Sequence, residues 1–195
     1  AGLPLRLPEH VEGPDTKLVP IVSSARAADI IIRTWKKKYN RLPDAIVVEG
    51  PRAGGHIGFK LADLMGHTES PLEDLFNDVL KLARKCKEDY NANIPVIPAG
   101  GIFDGKDIAK FLKMGAGGVQ MAIRFVATLE CSVSEKFKAM YLAAKEEDVI
   151  IIDSPVGMPA RAIKNRFTDG LVSGKKVPFY CRYRCLRTCN PATVP

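Results

Sequence analysis

The feature that most constrains the fold is an apolar run that stops at an acidic residue and a glycine-rich loop. Residues 45–48 are all apolar, Glu49 follows them, and Gly54 and Gly55 precede His56. A short apolar run bounded in this way is typical of a buried strand. Because glycine has no Cβ, the loop after this strand can approach a ligand closely. The sequence therefore predicts a buried strand that leads into a loop carrying a titratable imidazole.

The same order of elements recurs along the chain. Apolar runs predict strands at 18–22, 45–49, 94–98 and 118–123, with a further short strand at 149–152. Capping residues predict helices at 25–38, 70–89, 106–114 and 132–145. Near-continuous apolar strands that alternate with helices favour a parallel sheet covered by helices. A doubly wound sheet and a (β/α)8 barrel both fit, and glycine loops after successive strands favour the barrel.

Polar residues at the predicted helix starts supply caps. Ser24 precedes the first helix and Asp104 precedes the third, while Ser70 to Glu73 and Ser132 to Glu135 each have the spacing of a capping box. Pro159 is expected to start a short helical turn over residues 158–165, since proline is favoured at the first helical position.

Composition narrows the class of protein. The chain has 195 residues with 46% hydrophobic content, and no apolar run reaches the roughly 18 residues of a membrane helix. The net charge of +7 is spread over several segments, so solvated helix faces are expected rather than a nucleic-acid surface. Five cysteines cannot all pair within one chain, which favours a cytoplasmic location.

Four segments carry a family resemblance, and they keep their order and spacing. They read Ala-Gly-Gly-His-Ile-Gly at 53–58, Val-Ile-Pro-Ala-Gly-Gly-Ile at 96–102, Gly-Val-Gln-Met with Arg-Phe within 118–125, and Pro-Ala-Arg-Ala-Ile-Lys-Asn at 159–165. Together they resemble the nitronate monooxygenase (formerly 2-nitropropane dioxygenase) family. The closely related FMN-dependent enoyl-acyl-carrier-protein reductases share most of these motifs.

The resemblance implies an α/β fold of the (β/α)8 TIM-barrel family, of which this chain would cover about the last four strands. Residues 1–170 would then form the C-terminal half of a flavin-binding barrel, and residues 171–195 a truncated Cys/Pro-rich tail. Half a barrel leaves sheet edges unpaired. The resemblance implies a flavin-dependent monooxygenase; whether the chain folds and acts alone, or needs a second copy or a complementary N-terminal half, stays open.

The resemblance also implies a set of site residues. His56 would be the catalytic base, while Glu49, Gly54 and Gly55 would lie beside FMN. The phosphate and ribityl chain would be held by Gly100, Gly101, Gln120, Met121, Ala122 and Ile123. The family usually has Gly-Thr where this chain has Ala122-Ile123, which removes a hydroxyl from the phosphate site. The family often has Gln at the position of Glu49.

The activity that this resemblance implies is oxidation of alkyl nitronates, a small-molecule substrate, by O2 with FMN as cofactor. Two alternatives stay open. One is an FMN- and NADH-dependent enoyl-acyl-carrier-protein reductase. The other belongs to a different class, a non-catalytic half-barrel that needs a complementary chain.

The tail contains three evenly spaced cysteines, Cys181, Cys185 and Cys189. If the segment were helical, the three thiols would share a face and could hold zinc or an iron–sulfur cluster. A fourth ligand is not evident and prolines interrupt the segment, so free thiols are expected and no metal ligand is assigned.

Overall fold

The structure is a computed structural model of the 195-residue chain, and it describes residues 3–11, 13, 15–155 and 158–174. The chain forms two compact units. The first comprises Ala1–Ala53 and Glu69–Arg124, and the second comprises Gly54–Thr68 and Phe125–Pro195. Because residues 175–195 lie outside the described part, the domain boundary that the sequence predicts after residue 170 stays a prediction.

The regular elements alternate along the described chain. The strands are β1 (Ile21–Val22), β2 (Ile46–Glu49), β3 (Gly55–His56), β4 (Val96–Ala99), β5 (Val149–Asp153) and β6 (Pro159–Ile163). The α-helices are α1 (Ala25–Tyr39), α2 (Leu61–Gly66), α3 (Leu72–Tyr90), α4 (Gly105–Lys113), α5 (Ile123–Val126), α6 (Glu135–Ala143) and α7 (Arg166–Val172). Short 3-10 helices lie at Leu7–His10 and Glu146–Asp148.

A parallel sheet organises the first unit, as the apolar runs predict. Its strand order is β1-β2-β4, with β2 in the centre and both neighbours parallel to it. Val22 lies opposite Val48, and Ile46 lies opposite Val96. Because alternate residues of a strand share a face, these four side chains form one apolar face of the sheet.

Helices α1 and α3 pack against this face and build the core of the first unit. Ile31 and Trp35 of α1 and Phe76 of α3 are completely buried there. The ring of Phe76 meets that of Phe111 from α4 edge-on, with centroids 5.7 Å apart. Such edge-to-face pairs stabilise a core beyond the area they bury.

Two of the predicted caps in this unit are confirmed and one is wrong. The Ser24 hydroxyl accepts from Ala27 N at 3.2 Å, and Asp104 forms a reciprocal capping box with Asp107. The Ser70 hydroxyl does not cap α3. That helix has Pro71 in the N-cap position and begins at Leu72, one residue later than the capping box requires. The fixed φ of the proline, −55°, with an extended ψ of 152° sets this boundary.

Of the strand predicted at 118–123, only Gln120 pairs with another strand, and the rest of the prediction is wrong. Gln120 forms an isolated parallel bridge with Ala99, and its N–H donates to the carbonyl of Pro98 at 2.9 Å. The chain then turns into α5 at Ile123. The apolar run is therefore divided between one bridge position and the first residue of a helix.

The second unit contains an antiparallel sheet with the order β3-β6-β5. The strand predicted at 149–152 is confirmed as β5, but the helical turn predicted over 158–165 is wrong. Residues 159–163 instead form β6, paired along its length with β5. Proline is accepted at the first residue of a strand as well as of a helix, so the local signal was ambiguous and tertiary pairing decided it.

Helix α6 in the second unit also starts differently from the prediction. Its N-cap is Ser134, whose hydroxyl accepts from Phe137 N at 3.3 Å, rather than Ser132. Across the described residues no helix combines the length and apolar character needed to cross a membrane.

Candidate functional site

The carboxyl ends of β2 and β4 bring several predicted site residues together in the first unit. Glu49 lies opposite Ala99, and Gly50 N donates to the Ala99 carbonyl at 2.9 Å. Gln120 bridges the other side of Ala99. Because parallel strands end at a common edge, Glu49, Gly100 and Gln120 occupy neighbouring positions along that edge. This matches the expected placement of a ligand site in a parallel α/β fold.

Two glycines at this edge have backbone conformations that other residues rarely adopt. Gly100 has a φ of +91° and Gly101 a φ of +87°. A Cβ at Gly100 would lie 2.9 Å from the backbone N of Ala53, and a Cβ at Gly101 would lie 3.1 Å from the Arg52 side chain. The loops after β2 and β4 thus approach each other so closely that position 100 requires glycine.

Backbone donors at the same edge are available to an anion. In the described part of the chain, no hydrogen bond uses the N–H of Gly101, Met121 or Ala122. Available backbone N–H groups beside glycines with positive φ are a common way to bind phosphate. A phosphate group therefore fits this edge, and its proposed donors are backbone groups that do not depend on the side chains at positions 122 and 123.

Glu49 is the charged side chain at this edge. It lies on the opposite face of β2 from Ile46 and Val48, and it is half-buried. Burial raises the pKa of its carboxyl, because desolvation disfavours the charged form. Among the described residues it has no salt-bridge partner.

His56, predicted to lie in a loop, lies instead on strand β3 of the second unit, because its backbone pairs with β6. Its backbone pairs with Ala160 of β6, and the next residue, Ile57, donates its N–H to the Pro159 carbonyl at 2.9 Å. The imidazole itself is exposed, and its Nε2 lies 3.0 Å from the hydroxyl of Ser154. A titratable ring is thus held on a strand and remains accessible to a small molecule.

Ser154 is a site candidate that sequence reasoning missed. It directly follows β5 and is only 7% exposed, and its backbone N donates to the Met158 carbonyl at 3.1 Å. It lies 98 positions from His56 in the chain. No local motif connects the two residues, and only the antiparallel pairing of β5, β6 and β3 brings them together.

The predicted site residues therefore fall into two groups. Glu49, Gly100, Gly101 and Gln120 to Ile123 belong to the first unit, with Ile123 as the first residue of α5, whereas Gly54, Gly55 and His56 belong to the second. Gly55 has a φ of +71°, and nothing lies within 4 Å of the place where its Cβ would be. The assignment of these residues to flavin binding and catalysis stays a prediction.

The described residues show no cluster of three or more His, Cys, Asp or Glu side chains that could hold a metal. Cys86 is a free thiol in the core, and burial raises its pKa. Cys181, Cys185 and Cys189, for which free thiols were expected, lie outside the described part of the chain.

Comparison with known proteins decides the family. The profile described as nitronate monooxygenase matches residues 9–191, almost the whole chain. The chain belongs to the nitronate monooxygenase family. The resemblance of the four sequence segments is thereby confirmed, and with it an α/β fold of the TIM-barrel type.

Individual relatives support the same assignment. A probable nitronate monooxygenase of Staphylococcus saprophyticus is 33% identical over 64% of this chain and 33% of its own length. The structure of FabK from Thermotoga maritima is similar with a TM-score of 0.64 and 32% identity, over 87% of this chain and 46% of that one. A nitroalkane oxidase from Streptomyces ansochromogenes gives a TM-score of 0.58 and 25% identity, over 78% and 40%.

Each match covers a larger share of this chain than of the protein with which it is compared. This family member spans about a third of the length of the curated relative and less than half of each solved structure. The activity, substrates and partners of the longer proteins are therefore proposals for this chain and not properties that the matches establish.

Proposed function

We propose that the chain is part of an FMN-dependent oxidoreductase that oxidises alkyl nitronates with O2, with His56 as the base for neutral nitroalkanes. The observation that carries this proposal is the exposed imidazole of His56, fixed on a strand within a family motif. Imidazole titrates near neutral pH, which suits removal of the acidic proton from the carbon next to a nitro group. A cytoplasmic location and a small-molecule substrate fit this role, and it needs no nucleic acid.

FMN would be held by the first unit through its phosphate. The N–H groups of Gly101, Met121 and Ala122 are the proposed donors, while Gly100 allows the two loops to approach each other. Glu49, Gln120 and Ile123 complete the proposed set in this unit, whereas Gly54 and Gly55 lie in the second unit and are proposed from the family resemblance alone. When bound, the flavin supplies the electron transfer from the nitronate to O2, and this chemistry belongs to the cofactor. The protein contributes binding, orientation and the proton acceptor.

The test has two steps that use the whole chain. Purified protein is loaded with FMN, free flavin is removed, and the retained flavin is read from its visible absorption. Turnover of 2-nitropropane under air is then measured for the wild type and for His56→Asn. Loss of two or more orders of magnitude is expected, because a positioned base contributes about 100-fold or more.

His67→Asn is the matched control for this test. His67 is an exposed histidine in the same unit, with a φ of +52°, and asparagine tolerates that conformation. The control should keep wild-type turnover. Equal activity of the His56 and His67 variants would contradict the role of His56, and failure to retain flavin would contradict the cofactor assignment for this chain.

A second candidate function is an NADH-dependent enoyl-acyl-carrier-protein reductase. Its support is the likeness to FabK, which extends over 87% of this chain. The two activities are separated by incubating the flavin-loaded protein with an enoyl thioester, with and without NADH. Consumption of NADH that depends on the thioester would favour the reductase, and turnover of nitronate with O2 alone favours the monooxygenase.

A third candidate is a non-catalytic half-barrel that functions only with a second chain, either another copy or a complementary N-terminal half. Its support is apolar surface near the edge strand of the parallel sheet, where Val19 is 41% and Ile21 52% exposed. Exposed edge strands favour pairing with another chain. Light scattering tests it, since a flavin-free monomer at all concentrations would contradict pairing between copies.

A further inference from the structure

We propose that Ser154 is a positioning residue for His56: its hydroxyl oxygen accepts the Nε2–H of the imidazole, so Nδ1 is the nitrogen that takes the substrate proton. This inference rests on the proposed function of His56 as a base. It adds a residue to that site and names the reacting atom. It follows from three contacts within the second unit.

The first two contacts fix the backbone of His56. The β3–β6 ladder pairs His56 with Ala160, and Ile57, which is completely buried, donates its N–H to Pro159. With the chain anchored on both sides of the Cα atom, the ring can change position only by rotating about its own side-chain bonds. One further contact is then enough to fix the orientation of the ring.

The third contact is the hydrogen bond of 3.0 Å between His56 Nε2 and Ser154 Oγ. Ser154 is almost completely buried, and its backbone is fixed by the hydrogen bond to Met158. The hydroxyl therefore belongs to the framework of the sheet, and the exposed ring is oriented against it. A partner on the second nitrogen is the general means by which proteins select the tautomer of a catalytic histidine.

The direction of this hydrogen bond follows from the requirement for a base. A neutral imidazole has one N–H and one lone pair, and a hydroxyl can either donate or accept. If Ser154 donated to Nε2, the proton of the ring would be on Nδ1 and no basic nitrogen would face the substrate. If Ser154 accepts from Nε2–H, Nδ1 has a free lone pair, and the same bond persists when the ring becomes an imidazolium.

The proton balance of the step is simple. The C–H bond next to the nitro group breaks, its electron pair stays on the substrate as the nitronate, and the proton forms the Nδ1–H bond of His56. Preformed nitronate has already lost this proton. Ser154 should therefore matter for nitroalkane turnover and hardly at all for nitronate turnover.

The tautomer can be measured without flavin or activity. Ring nitrogen chemical shifts of the wild-type protein near neutral pH distinguish the Nε2–H from the Nδ1–H form, and the His56 signals are those missing from His56→Asn. We expect the Nε2–H form in the wild type and a mixture in Ser154→Ala. Ser154→Thr keeps the hydroxyl and should restore the wild-type form. Ser132→Ala removes an exposed hydroxyl of the same unit and serves as the matched control.

A wild-type His56 in the Nδ1–H form would overturn the proposal, and so would a Ser154→Ala spectrum identical to that of the wild type. If Ser154→Ala does not fold, the wild-type tautomer still decides. Where the wild type turns over nitroalkane, Ser154→Ala should lose about ten-fold in kcat with nitroalkane and keep its rate with nitronate. Equal losses with both substrates would contradict a positioning role. A wild type inactive towards both substrates would contradict the proposed function and leave the tautomer result standing.

Discussion

The two units of this chain differ in how they are stabilised. The first has a continuous core of strands β1, β2 and β4 with α1, α3 and α4, including the completely buried Trp35 and Phe76. In the described part of the second, Ile57, Leu64, Ile152 and Ala160 are the buried apolar residues. The first unit therefore obtains its stability from a packed core, whereas the second depends more on strand pairing and caps.

The proposed site follows the same difference. In the first unit the proposed functional groups are backbone N–H groups and glycines at the carboxyl edge of a sheet, one face of which is packed in the core. In the second unit the functional group is a side chain, positioned by one hydrogen bond to Ser154. A site made of backbone groups tolerates changes of its side chains but not of its glycines. A site made of a side chain is lost when that side chain or its hydrogen-bond partner is replaced.

The largest effect that tests this comparison is expected from removing core volume. Phe76→Ala should lower the free energy of unfolding by about 3–5 kcal/mol, because a completely buried aromatic ring leaves a cavity and loses its edge contact with Phe111. Phe137→Ala in the second unit removes a ring that is 44% exposed and should cost less than about 1.5 kcal/mol. Urea unfolding followed by circular dichroism measures both, and equal losses would contradict the contrast between the units.

The contrast between a locally packed core and long-range strand pairing also determines which elements the sequence predicts. The parallel strands β2 and β4 were predicted, at 45–49 and 94–98, because each is a short apolar run that ends at a glycine-rich loop. The strand 159–163 was not predicted, because only its pairing with β5 distinguishes it from a helical turn and a leading proline suits a helix equally well. Local patterns thus predict elements that bury their own faces, and they fail where pairing across the chain decides.

Prediction of the candidate site from local patterns fails in the same way, where distant parts of the chain meet. Glycine spacing and family motifs indicated Gly100, Gly101 and His56 from the sequence. Ser154 could not be found, because one serine near the end of an apolar run has no signature and its partner lies 98 positions away. The contact depends on the pairing of β5, β6 and β3, and the sequence predicts a helical turn where β6 forms.

A second test uses one glycine from each unit. Gly100→Ala should cost about 3 kcal/mol, since it combines a positive φ with a Cβ 2.9 Å from the Ala53 backbone. Gly55→Ala also has a positive φ but meets open space, so about 1 kcal/mol is expected. Urea unfolding of both variants tests the close approach of the loops. If Gly55→Ala lowered the free energy of unfolding more than Gly100→Ala does, the contact between a Cβ at position 100 and the Ala53 backbone would have to relax at little cost in free energy.

Helix caps should act alike in both units, because capping is a local interaction. Asp104→Ala in α4 and Ser134→Ala in α6 are each expected to lower the free energy of unfolding by about 1 kcal/mol. Ser70→Ala is the control, because Ser70 does not cap α3. A loss at Ser70 as large as at Asp104 would mean that the predicted capping box contributes after all. A loss at Ser134 well below that at Asp104 would show that the helices of the second unit contribute little to its stability.

The smallest effect concerns Glu49, and its sign depends on pH. Burial raises the pKa of this carboxyl above its ordinary value of 4.5, so the folded chain holds the proton more tightly than the unfolded chain does. The charged form therefore costs stability, and this cost appears as the pH rises from the ordinary value through the raised one. Glu49→Gln should stabilise the protein at neutral pH by less than about 1 kcal/mol, because the carboxyl is only half-buried and solvent screens it. Well below about pH 4 the difference should vanish, since the wild-type carboxyl is then protonated in both states.

Glu88→Gln, at an exposed position of α3, is the matched control and should change stability by no more than about 0.5 kcal/mol. If Glu49→Gln destabilised the protein at neutral pH, the carboxylate would have to be stabilised by hydrogen-bond donors or positive charge around it, and burial would not be what governs its pKa.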